Sequence, residues 1–113
     1  MDYVLCDRSD RVAVVTLNRP DRINSLGTQL VADVTEIFKR LHRDRDVGAV
    51  VLHGAGRGFC SGADLRGDSD MAPDADGRGP VGAVYRTQEH LVEMILAIRE
   101  CDKPVVAAVH GAA

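Results

Sequence analysis

The segment Gly54-Ala55-Gly56-Arg57-Gly58-Phe59-Cys60-Ser61-Gly62-Ala63-Asp64-Leu65 holds four glycines within residues 54–62, directly after a short apolar run. Glycine lets a main chain approach a ligand closely. A close approach of ligand to main chain is what the segment allows. A dinucleotide-binding loop would need a third glycine three positions on, an immediate helix and a later acidic residue, and only G-x-G-x-G is present. Two other sets of chemistry-bearing residues are weaker. His42, His53, His90 and His110 form no pair at metal-ligand spacing, so surface or structural roles are expected and no metal. Glu89 and Glu93 stand one helical turn apart, but polar neighbours make that face a solvated one.

The elements that must position the glycine segment follow from periodicity. Val4–Cys6 and Val12–Leu17 are β-branched-rich runs split by Asp7-Arg8-Ser9-Asp10-Arg11, the pattern of an antiparallel hairpin. Asn18-Arg19-Pro20-Asp21 ends the second strand, because Pro20 has no N–H for a ladder and restricts Arg19. Leu30, Val34, Ile37, Phe38 and Leu41 recur at helical spacing, which predicts a helix over 28–43 with Ser25 or Thr28 as N-cap. Ala49–Leu52 is too short for a helix and reads as a strand buried on both faces. Residues 67–80 are dominated by Gly, Asp and Pro and are expected to be a mobile loop. A second helix over 81–100 would bury Val84, Leu91, Ile95 and Ile98, and Pro104–Val109 would return as a strand.

Order and spacing of three blocks, Asn18-Arg19-Pro20-Asp21-Arg22-Ile23-Asn24-Ser25-Leu26, the glycine segment through Leu65, and Lys103-Pro104-Val105-Val106-Ala107-Ala108-Val109-His110-Gly111, resemble the crotonase (enoyl-CoA hydratase/isomerase) family. The glycine segment is the specific block and the others support it. The resemblance implies an α/β fold in which ββα turns coil into a spiral, with residues 1–113 as the N-terminal part of an acyl-CoA-binding domain. It implies action on an acyl-CoA thioester in fatty acid metabolism, by hydration of a 2-enoyl thioester or double-bond migration. In such chemistry two backbone N–H groups stabilise an enolate-like oxygen. By resemblance the Ala63 N–H is the first donor, with Gly62 as the supporting turn. Ile23, Ser25, Ser61, Ala63 and Leu65 would line the coenzyme A path, Arg22 and Arg66 would meet its phosphates, and Asp64 would brace the loop. Coenzyme A is then part of the substrate, and no separate cofactor is expected.

The family's second donor and its acid–base glutamates correspond to positions beyond Ala113, so the fragment is expected to be incomplete and inactive. The alternative from another class is a non-catalytic remnant or an interaction partner of a full-length relative, and the complete family assembles as trimers or hexamers. Bulk composition agrees with a globular chain: 113 residues, 45% hydrophobic and 27% charged. A net charge of −3 argues against nucleic acid as partner, and no run approaches membrane-spanning length. Three cysteines, Cys6, Cys60 and Cys101, in no CxxC pair suit a reducing, cytoplasmic setting and are expected to be buried apolar side chains.

Overall fold

A computed structural model describes residues 3–63, 77 and 79–113. Strands β1 (Val4–Ser9) and β2 (Val12–Leu17) form the expected hairpin, in a register from Val4 opposite Leu17 to Ser9 opposite Val12. Its two-residue turn holds Asp10 at φ 53°, a left-handed conformation that short polar side chains accept. Helix α1 (Thr28–Arg43) then leads to β3 (Ala49–Gly54), helix α2 (Gly79–Arg99) follows, and β4 (Val105–Ala108) completes a sheet of order β1-β2-β3-β4. β2, β3 and β4 run parallel, as strands joined through helices must when each crossover returns to the same end.

The registers align Ala13, Val50 and Val105 on one face, and Val15, Leu52 and Ala107 one repeat further along. Against this face α1 buries Leu30, Val31, Val34, Ile37, Phe38 and Leu41. Phe38, Leu30, Val15, Val34 and Val50 are among the largest fully enclosed side chains, so the centre of the core is the α1–β2–β3 contact. The opposite face has no helix over it among the described residues. There Leu5 and Val106 are exposed, and Thr16 Oγ1 lies 2.9 Å from His53 Nε2.

Several expectations need correction. Gly27, not Ser25 or Thr28, is the N-cap of α1, and it supplies no side-chain cap. The chain enters the helix fully extended at Gly27 (φ −91°, ψ 175°), leaving Ser25 two residues too early. β3 is fully buried on one face only: Val50 and Gly54 are enclosed with Leu52 packed against the core beside them, whereas Val51 and His53 on the other face are half-buried. α2 begins at Gly79, inside the loop expected over 67–80, whose remaining residues apart from Gly77 lie outside the described set. Its buried face is Gly82, Met94 and Ala97 with Leu91 and Ile98 packed alongside, while Val84 and Ile95 are exposed. The reason is geometric: α2 leans on α1 and the β4 entry through its C-terminal half, so positions 91, 94, 97 and 98 meet the core. Of the cysteines only Cys101 is buried; Cys60 is half-buried and Cys6 exposed.

The far end of α1 is fastened by polar contacts. Lys103 Nζ donates to the His42 carbonyl at 2.6 Å, satisfying one of the acceptors a helix leaves unpaired at its C-terminus. The Asp102 N–H donates to His42 Nδ1 at 3.1 Å, and the Lys103 ammonium pairs with Asp102 at 2.8 Å. That ammonium holds the Asp102 carboxyl below its ordinary range. Asp44 is held low by the Asp46 N–H, then by the Arg8 guanidinium that pairs with it.

A carboxyl lowered by folding stabilises the native state above its unfolded value, about 3.9, and loses that contribution as pH falls through the folded value. The urea midpoint is therefore expected to owe nothing to these two groups' titration above about pH 5 and to fall below about pH 4. In Asp44→Asn/Asp102→Asn the acid slope should be shallower; an unchanged slope would assign acid sensitivity to other groups. β4 offers an apolar open edge, with Val106 59% exposed. Light scattering should show concentration-dependent association of the isolated chain, reduced by Val106→Lys.

Candidate active site

β2 and β3 end side by side, Leu17 opposite Gly54, so the loops that leave them emerge together. The Ala55 N–H donates to the Leu17 carbonyl at 2.8 Å, joining the two exits. After β2 the chain makes a 3-10 turn at Pro20–Arg22, with proline suited to its start. Ile23 and Asn24 then adopt φ of 49° and 53°. A left-handed β-branched residue is uncommon and has to be held in place by its surroundings.

What holds it is a series of contacts with the glycine segment. Ser61 donates its N–H to the Ile23 carbonyl at 2.8 Å and its hydroxyl to the Arg22 carbonyl at 3.1 Å. The Cys60 thiol lies 3.2 Å from the Asn24 carbonyl, and the Leu26 N–H donates to the Gly62 carbonyl at 2.8 Å. From the other side, the Phe59 and Cys60 N–H groups both donate to the Ala112 carbonyl, at 2.8 and 3.1 Å. His110 Nε2 lies 2.8 Å from the Gly56 carbonyl.

These bonds fix one peptide unit. In a planar trans peptide the N–H points away from the carbonyl of the same unit, and there is no cis bond among the described residues. With the Gly62 carbonyl turned toward Leu26, the Ala63 N–H is directed to the other side, where it meets no acceptor among the described residues. Gly62 sits at φ 97°, which a residue with a side chain would adopt only under strain. Ala63 itself is exposed. The result is an amide donor without an acceptor among the described residues, on a backbone constrained from two directions.

Of the residues read from sequence, the structure brings Arg22, Ile23, Ser25, Ser61, Gly62 and Ala63 into one cluster. Arg22 and Ile23 are half-buried and Ser61 is exposed. Ser25 is buried, its Oγ enclosed without a hydrogen-bond partner among the described residues. Asp64, Leu65 and Arg66 lie outside the described residues. Glu89 and Glu93 are exposed on α2, Glu89 within 3.7 Å of Arg86. His42, His53 and His110 each bond to structural partners.

Among the described residues, a small depression of about 10 Å³ at Leu26, Gly27 and Thr28 lies beside this cluster, and larger ones lie elsewhere. A depression of about 440 Å³ lies along α2 beside Tyr85, Glu89, Val92 and Leu96, and one of about 540 Å³ beside His42, Arg45 and Lys103. Neither touches the glycine segment. Both are open surface features, so the hydrogen-bond geometry is the better guide.

The family model for enoyl-CoA hydratase/isomerase matches residues 7–113. The chain belongs to this family. Among its family relatives, the 1,2-epoxyphenylacetyl-CoA isomerase of Escherichia coli K12 is 34% identical over the whole chain, which covers 42% of that protein. A crystal structure of an enoyl-CoA hydratase/carnithine racemase from Magnetospirillum magneticum superposes with a TM-score of 0.84 at 31% identity, over 98% of this chain and 40% of that one. A monofunctional enoyl CoA isomerase from M. smegmatis gives a TM-score of 0.72 at 37% identity, over 96% and 41%. The family's fold is thus present in its four-stranded sheet and two helices. The chain spans about 34% to 42% of the length of such curated relatives.

The residue that sequence reasoning passed over is Asn24. It is fully buried, accepts the Arg19 N–H at 2.7 Å, and directs its amide nitrogen to the carbonyls of Ala55, Gly58 and Phe59 at 3.1, 3.2 and 3.0 Å. The available signal was its residue type: asparagine tolerates left-handed φ and bonds locally to backbone. Gly54 leaves room for this side chain, since a Cβ there would stand 2.7 Å from Asn24 Nδ2 and against the Phe59 carbonyl. Gly54→Ala is expected to cost about 1–3 kcal/mol by overpacking, read from urea midpoints. Gly48→Ala, whose Cβ would meet only the Arg11 side chain at 3.3 Å, should stay within about 0.5 kcal/mol. Equal effects would refute the tight fit at Gly54.

Proposed function

We propose that this chain contributes the thioester-binding half of an acyl-CoA-transforming site, with the Ala63 N–H donating to the carbonyl oxygen of the substrate. The observation that supports it is the Gly62–Ala63 peptide: its carbonyl is fixed by Leu26, and its N–H has no acceptor among the described residues. As negative charge grows on a thioester oxygen in an enolate-like transition state, a donor fixed beforehand stabilises it without having to reorganise. Losing one such donor typically costs about 10² to 10³ in rate. Gly62 serves the turn. Arg22, Ile23, Ser25, Ser61, Asp64, Leu65 and Arg66 belong to the coenzyme A path, Arg22 and Arg66 through charge-assisted bonds to phosphate.

The whole protein's reaction is hydration or double-bond isomerisation of an enoyl-CoA, in a homo-oligomeric, cytoplasmic enzyme of fatty acid metabolism. Residues 1–113 alone bind without turnover, because one donor cannot hold an enolate oxygen as a pair does.

The test is isothermal titration with crotonyl-CoA and with free CoA, together with Ala63→Pro, which deletes the N–H in question. Crotonyl-CoA is expected to bind more tightly than CoA, and Ala63→Pro should lower crotonyl-CoA affinity more than CoA affinity, shrinking the difference. Absorbance of the enoyl group should stay constant during incubation. Equal affinity for the two ligands in the unmutated chain would defeat the proposal.

A further inference from the structure

We infer that Asn24 is a positioning residue for this site, its buried side chain setting the direction of the Ala63 N–H from the opposite loop. The inference rests on the thioester reading for its purpose but on separate observations for its content. Two N–H hydrogens on Asn24 Nδ2 face three carbonyls, those of Ala55, Gly58 and Phe59, so at least one hydrogen is shared. Its Oδ1 takes the Arg19 N–H. Every polar atom of the side chain is therefore engaged, and no other residue type of similar size supplies two donors and an acceptor in this plane.

The carbonyls it holds lie at 55, 58 and 59, immediately before the turn to Ala63. The main chain of Asn24 adds a second grip: its N–H donates to the Arg19 carbonyl at 2.9 Å, and its own carbonyl meets the Cys60 thiol. Between Phe59, fixed by Asn24, and Gly62, fixed by the Leu26 N–H, only Cys60 and Ser61 intervene. The end of that span is set by the Leu26 N–H, and its start at Phe59 is held through the carbonyl by Asn24 and through the N–H by Ala112, so displacing the Asn24 side chain releases the Phe59 carbonyl while Leu26 still holds the other end. Rotation along residues 60–62 that absorbs the difference carries the Gly62–Ala63 peptide with it. Asn24 touches neither substrate nor reacting atoms; it acts through the loop.

The test is ¹⁵N NMR of the 113-residue chain with Asn24→Asp, which keeps the shape but turns the donor edge into an acceptor edge facing three carbonyls, and with Asn24→Ala. The Ala63 amide resonance is expected to move, and the Leu26 and Ser61 amides to exchange about 10- to 100-fold faster, while those of Val15, Val34 and Val50 keep their rates. A common acceleration at all these amides with the Ala63 resonance unmoved would show that Asn24 adds only global stability, and would overturn the inference. Should neither variant fold, the unmutated chain decides. Exchange of the Asn24 side-chain NH₂ in step with Leu26 and Ser61 supports a shared local opening, and exchange in step with the core amides overturns it. Crotonyl-CoA that left the Ala63 resonance of the unmutated chain in place would refute the thioester reading alone, since the comparisons without ligand are unaffected by it.

Discussion

The peptide plane between Gly62 and Ala63 is the constraint around which this chain is organised. A planar amide cannot turn its carbonyl inward without turning its N–H outward. The bond from Leu26 to Gly62 therefore does two jobs: it docks the glycine segment on the loop after β2, and it leaves one donor without an acceptor among the described residues. Such a donor is cheap to build because no side chain has to be held in a rotamer. It is costly to hold accurately, since each residue of a glycine-rich segment brings conformational freedom that bonds elsewhere must remove.

The fold supplies that restraint through strand ends. Parallel pairing of β2 and β3 delivers two loops to the same side of the sheet, and the α1–sheet core fixes the two strands relative to each other. The loops then have little to bury and bind through polar contacts: hydroxyl, thiol and amide groups of one loop meet carbonyls of the other. Ala112 closes the arrangement from the β4 side by accepting two N–H groups with one carbonyl. Precision at the amide is thus a property of three segments distant in sequence, which only the parallel sheet brings together.

This division explains what was legible in the sequence. The hairpin, the span of α1 and the positions of β3 and β4 followed from apolar period and from Pro20, because those signals are local. The glycine segment announced itself by composition and by resemblance to a family. Val84 and Ile95 fit a helical stripe as well as Met94 and Ala97 do, and only packing against α1 decides which face is buried. Asn24 was legible as a letter of a motif but not as the centre of four hydrogen bonds. Its partners lie 31 to 35 positions away, apart from Arg19. Local preference puts the cap of α1 at Ser25 or Thr28, whereas Gly27, between them, takes the extended conformation usual for an N-cap.

The two outer strands of the sheet differ in what they offer a further strand. β1 carries Asp7 and Arg8 in its exposed run, charges that would be stranded if a further strand were added beside it. β4 carries Val105, Val106, Ala107 and Ala108, with no charge to strand. The charges of β1 disfavour a further strand beside it, whereas β4 has none to oppose one, so the two flanks of the sheet are unequal.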